Sequence, residues 1–255
     1  MIDSLGGVIV GLFGLAVGSF LNVCIHRLPR GESVIAPPSR CPACGQRIRW
    51  FDNIPLVAYL ALRGRCRRCG AAVSPLYPLV EAATAALFLL QYRDVGLDPL
   101  LAPRLLFSAA MVVLFVIDLR HRLLPDVITL PGVAAGMVFA LFLDPGWMDA
   151  AIGAIAGGGS LFAISEAYYR LRGVEGLGLG DVKMAAVVGA FLGWQMMLVA
   201  LILAFVLGAA VGAGLIAAGR GGPRTALPFG SFLAVTSVAA TLVGGPLIDW
   251  YLSLY

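Results

Sequence analysis

The chain has 255 residues, 60% of them in the AVILMFWYC set and 13% charged, with a formal net charge of +4 and a mean hydropathy of +0.93. A water-soluble domain averages about a quarter charged residues, so the composition excludes a soluble globule and a disordered chain. The surroundings it fits are membrane lipid, not nucleic acid.

In chain order, the first apolar run covers residues 5 to 25. It lacks the basic leading region and small-residue cleavage site of a removable signal peptide, so it is expected to stay as an anchor. Cys24 within it reads as a small buried apolar residue. Residues 26 to 75 follow as the only sizeable hydrophilic segment, carrying Cys41-Pro-Ala-Cys44 and Cys66-Arg-Arg-Cys69 with 21 residues between the pairs. A CxxC turn brings two sulfurs to one ion, and two such turns complete the tetrahedral thiolate set that suits zinc. Gly45 and Gly70 each follow the second Cys of a pair, where the turn favours a residue tolerant of positive φ. Four protein ligands close such a site, so the expected role is structural. Two unconnected thiol pairs are the plainer alternative.

Further apolar runs cover roughly 76 to 92, 101 to 118, 125 to 144, 149 to 169, 182 to 193, 195 to 218 and 228 to 249. A crossing takes about 20 residues, so 182 to 193 is short. If eight segments cross, the loops alternate sides. Nine of the 18 Lys and Arg lie between Arg27 and Arg68, and Arg120, Arg122, Arg170, Arg172, Lys183, Arg220 and Arg224 fall on that same side, leaving Arg93 and Arg104 opposite. This asymmetry puts the 26 to 75 loop in the cytoplasm and both termini outside it. A seven-span count would strand Arg220 and Arg224 on the wrong side. Thiols in the cytoplasm stay reduced, which favours metal over disulfides. The expected architecture is all-α, a polytopic membrane bundle of about eight transmembrane helices with a small cytoplasmic zinc-binding loop. Its parts are a first transmembrane helix at 1–25, the cysteine loop at 26–75 and a transmembrane core at 76–255.

There are 14 Asp and Glu residues. Asp3, Asp94, Asp98, Asp144, Asp149 and Asp249 lie at far helix ends, as solvated or capping groups. Glu32 and Asp52 belong to the cysteine loop, and Glu175 to the segment before the sixth span. Glu81 and Glu166 sit inside predicted spans, where an ionisable group is a functional candidate unless it is paired with arginine or protonated. Asp118 ends the third span in FVIDLRHRLLPD, at the helix end that disfavours negative charge. Taken alone, an ion pair with Arg122 at i+4 accounts for it. Asp126 follows Pro125 and reads as a helix N-cap. Asp181 closes GLGLGD before VKMAAVV, where glycines 176, 178 and 180 leave room for an extended peptide near the carboxylate. An N-cap is the alternative for Asp181.

Two aspartates brought together cannot both ionise, so the pair shares a proton. The ionised member then activates water while the protonated member polarises a scissile carbonyl. The two histidines, His26 and His121, lie at charged interfacial positions. A Ser-His-Asp hydrolase or a His-ligated catalytic metal is therefore not expected.

Taken together and in order, GLAVGSFLNVCIHRLPRGESVIAPPSRCPACG, DNIPLVAYLALRGRCRRCG, SPLYPLVE, IDLRHRLLPDVITLP and GLGLGDVKM resemble the bacterial type IV prepilin peptidases, membrane aspartic proteases of GxGD type. Members of that family are bifunctional leader peptidases and N-methyltransferases. The resemblance places the catalytic pair on Asp118 and Asp181, displacing the ion-pair account of Asp118 and leaving Asp126 a neighbour. Gly178 and Gly180 then read as the substrate-access loop. It further implies a multi-pass protein of the bacterial inner membrane that removes the leader of type IV prepilins or type II secretion pseudopilins after a glycine. Methylation of the new amine would use S-adenosylmethionine. Cys41, Cys44, Cys66 and Cys69 match members with the zinc-type loop and are not implied in proteolysis. Residues between His26 and Tyr77 are the place to look for cofactor contacts, and none is named. Two other readings compete. One is a proton-coupled transporter using Glu81, Glu166 and the two aspartates, and the other is a non-catalytic assembly scaffold that docks partners through the cysteine loop.

Overall fold

A computed structural model describes residues 4–173, 176–220, 222 and 227–254. Asp3, Glu175 and Arg224 lie outside the described residues. The helices are α1 (Ser4–Arg27), α2 (Val57–Ala61), α3 (Leu76–Val95), α4 (Leu101–His121), α5 (Asp126–Ala140), α6 (Trp147–Arg172), α7 (Leu179–Ala217) and α8 (Phe229–Leu252). Among the described residues there are no β-strands, only two isolated β-bridges. The chain divides into two units, Met1–Leu101 and Ala102–Tyr255.

Five helical stretches are long and apolar enough to cross a membrane: Ser4–Arg30, Leu101–His121, Trp147–Arg172, Leu179–Ala217 and Phe229–Leu252. α5 is shorter and apolar. The chain is thus a multi-pass helical membrane protein, and the expected count of eight spans is approximate. Two expected spans, 182 to 193 and 195 to 218, lie in the single 39-residue α7, whose helical dihedrals break at Gly193 (φ 75°, ψ 173°). An unbroken helix of that length would run about 58 Å, nearly twice the hydrocarbon thickness. Pro145 packs against Gly193 where a side chain would otherwise stand.

In the first unit, α1 and α3 run antiparallel at close range. A Cβ on Gly14 would lie 2.7 Å from Ala85 Cα, and one on Gly18 would lie 2.7 Å from Glu81 Cα. One turn further, Asn22 Nδ2 donates to Tyr77 O at 3.0 Å. This Gly-x-x-x-Gly spacing allows backbone approach in lipid, where dispersion and hydrogen bonds hold helices together. Phe13 and Phe88 pack beside it, ring centres 5.9 Å apart.

In the second unit, α6, α7 and α5 pack by the same device. A Cβ on Gly153 would lie 2.6 Å from Gly189 O, one on Gly157 2.8 Å from Ala185 O, and one on Gly136 2.9 Å from Ala190 Cβ. Leu114, Ile117, Leu161, Met184, Met197 and Leu233 are fully buried. Large apolar residues such as Ile155, Ile202 and Val206 are exposed instead, as expected of helix faces turned to lipid.

Candidate aspartate and thiolate sites

Asp118 lies in the last turn of α4 and is buried. Its Oδ2 accepts the backbone N–H of Ser231 at 2.6 Å and the Ser231 hydroxyl at 2.8 Å. Ser231 thus makes the hydrogen bonds to this carboxylate, and Arg122, four residues on, adds an electrostatic interaction. Arg122 closes the helix through its backbone, its N–H reaching Asp118 O at 2.8 Å. Ser231 stands three residues into α8, after the N-cap Pro228. Helix N-termini present unsatisfied N–H groups and a positive dipole end, which answers the unfavourable end of α4 where Asp118 sits.

Asp181 is in the first turn of α7, and its Oδ2 accepts the Gly178 N–H at 3.2 Å. It thus caps α7 from inside the helix; Gly178 is the N-cap residue. The backbone N–H of Gly230 also reaches Asp181, and Asp118 lies within electrostatic range of it. A Cβ on Gly230 would sit 3.1 Å from Asp118 Oδ2. The first turn of α8 therefore stands between the two carboxylates, Ser231 serving one and Gly230 the other.

Leu124 closes the floor of this site. A Cβ on Gly180 would lie 2.9 Å from Leu124 Cβ, and one on Gly230 2.9 Å from Leu124 Cδ1. Gly178 borders more open space, the nearest atom to a Cβ there being Asp181 Oδ2 at 3.6 Å. Ser165 Oγ, donating to Leu177 O at 2.8 Å, tethers the segment that leads into α7.

Asp126 departs from its expected capping role. It is the first residue of α5, makes no side-chain cap, and pairs with Lys183 Nζ at 2.7 Å on the surface. Glu166 is bound to Arg170 at 2.7 Å and is 41% exposed, which answers its place in a span. Glu81 is buried and accepts the Leu56 N–H at 2.8 Å with the Ser19 hydroxyl beside it. The sequence reading missed Gly230 and Ser231. Their signal was a Pro-Phe-Gly-Ser step at the mouth of the last span, which places bare N–H groups at a membrane helix end.

In the first unit the two CxxC turns are built alike. Gly45 N–H reaches Cys41 O at 2.8 Å and Gly70 N–H reaches Cys66 O at 3.0 Å, with φ of 67° and 72° at the two glycines. The four sulfurs lie within 4.8 Å of one another. Tetrahedral zinc with bonds of about 2.3 Å needs sulfurs about 3.8 Å apart, and Cys41 and Cys69 stand at 3.9 Å. The donor set and spacing therefore fit a metal ion. The N–H groups of Cys69 and Arg68 pull the Cys66 thiol down to about 6. Cys69 has the Ala71 N–H to lower it, yet desolvation and the sulfurs of Cys66, Cys44 and Cys41 push it up to about 11. Arg67 grips Asp52 with two nitrogens, the shorter contact 2.7 Å, and Arg68 reaches Gln46 across the knuckles at 2.6 Å.

Residues 12–95 match the Bacterial Peptidase A24 N-terminal domain, and residues 105–213 match the Type IV leader peptidase family. Among curated proteins, the chain is similar to prepilin leader peptidase/N-methyltransferases. That of Myxococcus xanthus is 44% identical over 84% of this chain and 64% of its own length. That of Aeromonas hydrophila is 40% identical over 96% of this chain and 93% of its own, and that of Pseudomonas aeruginosa is 37% identical over 94% and 91%. No solved structure matches the chain.

Proposed function

The chain belongs to the type IV leader peptidase family, and we propose that it cuts the leader from prepilins or pseudopilins with Asp118 and Asp181 and then methylates the new N-terminus. The single observation that carries the dyad is the sharing of the first turn of α8, Ser231 on Asp118 and Gly230 beside Asp181. Two carboxylates so close hold one proton between them. The ionised one takes a proton from water as that water attacks the carbonyl carbon of the substrate glycine. The protonated one gives its proton to the carbonyl oxygen; as the C–N bond breaks, the first passes the water's proton to the leaving amine and the second takes its own back from the diol hydroxyl.

A prepilin leader is charged and the segment after it is an apolar helix, so the scissile bond lies at the membrane edge. Asp118 and Asp181 sit at helix ends, which suits that level, and in this reading it is the cytoplasmic one. The open side of Gly178 gives a locally unwound substrate room to extend. Helical peptide bonds are shielded by their own hydrogen bonds, and unwinding at the substrate glycine exposes the carbonyl.

S-adenosylmethionine supplies the methyl group when bound, and the new amine must be uncharged to accept it. Among the described residues no strand-and-helix nucleotide fold stands ready for it, so no contact is assigned. Zinc is the metal the four cysteines would hold, as a structural clamp on the loop. The test is to incubate the purified protein with a prepilin and S-adenosylmethionine and read product masses. Leader loss and a methyl increment are expected, and intact prepilin in both the native protein and its Asp118→Asn variant overturns the proposal.

A further inference from the structure

Three residues of α1 set the register on α3: Gly14 against Ala85, Gly18 against Glu81, Asn22 against Tyr77. Gly18 lies nine residues before Arg27, the end of α1, which is about 13 Å along the helix axis. Glu81 is therefore well below the end of a membrane-crossing helix. Its carboxylate accepts the N–H of Leu56, a residue of the hydrophilic loop, so the loop returns to within a glutamate side chain's reach of that level.

The backbone there is strained in a way that matches the dip. Leu56 has φ 58° and ψ −48°, and Val57 N–H turns back to Pro55 O at 2.6 Å. This is a γ-turn of positive φ, a rare and costly conformation for a branched residue. Irregular backbone survives at membrane depth only where protein groups satisfy it. Glu81, itself bound by the Ser19 hydroxyl, satisfies the Leu56 N–H, which accounts for a carboxylate buried where α1 meets α3. The short α2 then turns the chain back out.

The side chains on this dip face outward. Trp50 is 81% exposed, Val57 61% and Leu60 74%. Arg49 and Arg67 place their guanidinium groups 5.7 and 5.5 Å from the Phe51 ring centre. Exposed apolar residues at membrane depth, a Trp, and arginines at the rim are the composition of an interfacial anchor.

We propose that residues 50–62 form a re-entrant wedge whose Trp50, Val57 and Leu60 insert among the lipids of the leaflet where α1 ends. The occupant of this exposed face is the bilayer itself, given its tie to Glu81 through Leu56 and Arg49 at its rim, a cation suited to anionic headgroups; Arg67 is held by Asp52. The wedge is independent of the catalytic reading above.

The test uses the full chain in phosphatidylcholine and phosphatidylglycerol nanodiscs, with Trp147, Trp194 and Trp250 changed to Phe so that Trp50 alone reports. Lipids brominated near the headgroup should quench Trp50 about twofold, the depth of an interfacial ring, and lipids brominated near the chain ends should quench it less. Aqueous acrylamide should have little effect. In a Glu81→Ala variant that still binds metal, lipid quenching should fall and acrylamide quenching rise. Strong acrylamide quenching with no response to either brominated lipid in the parent overturns the proposal. Protection of an acrylamide-accessible Trp50 only on adding a prepilin also overturns it, and makes this face a protein-docking surface instead.

Discussion

Ser231 places both of its donors on one oxygen of Asp118, the backbone N–H at 2.6 Å and the hydroxyl at 2.8 Å, across 113 positions of chain. Ser231→Ala keeps the first contact and loses the second. One hydrogen bond to a charged group is worth about 1.5 kcal/mol or more, so leader cleavage should slow about tenfold at saturating substrate, with substrate affinity unchanged. Ser231→Thr should restore most of the rate. An unchanged rate in Ser231→Ala would show the N–H alone sets the carboxylate.

Asp118→Asn and Asp181→Asn should each lower leader cleavage by about a thousandfold, the scale of a lost acid or base, while the protein still inserts. Methylation of an already cleaved pilin should persist, because in the proposed mechanism the pair acts on the scissile peptide bond alone. Cleavage by either variant at the native rate would remove the dyad assignment. That Asp118 and Asp181 were candidates was legible from their interfacial positions and from GLGLGD. Their shared partner was not, since Gly230 and Ser231 sit far along the chain in an ordinary-looking helix start.

Asp126 lies near Asp118 in sequence but is spent on Lys183, a pair with side chains 57% and 33% exposed. A solvent-screened pair of this kind contributes less than about 1 kcal/mol. Asp126→Asn should therefore leave cleavage within about twofold and shift detergent unfolding slightly. Loss of cleavage comparable with Asp118→Asn would reassign the acid.

Gly153 meets the backbone of Gly189 and of Gly193 with no room for a methyl group. Gly153→Ala forces α6 from α7 and should destabilise the second unit by about 1–3 kcal/mol, read as a lower unfolding temperature in detergent. A neutral change would mean the helices part without cost.

Metal uptake at the cysteines should strengthen as pH rises, because protons compete with the ion for sulfur. Cys66, near 6, is already a thiolate at neutral pH, whereas Cys69, near 11, still carries its proton. Binding near neutrality should thus release the Cys69 proton, and below about pH 6 Cys66 must also give one up, steepening the loss. Zinc titrations against a chromophoric chelator, repeated in buffers of different ionisation enthalpy, measure both. A pH-independent affinity would reject the thiolate assignment. Cys66→Ser should abolish stoichiometric metal.

By itself the sequence determined the class of protein and its chemistry set: 60% apolar residues arranged in long runs require a membrane bundle, and two CxxC turns with flanking glycines announce a thiolate site, because both are local patterns of spacing. Tertiary structure decided which polar groups meet. Glu81 was legible as a costly charge in a predicted span, but only helix packing against Gly18 and the return of Leu56 show that it satisfies a part-buried backbone N–H. Asp118 read alone as half of an i+4 ion pair, because local spacing reveals neighbours on one helix and says nothing of a helix mouth arriving from 113 residues away. Contacts of that kind arise from packing, where glycines let backbones close in and a free N–H finds the nearest carboxylate.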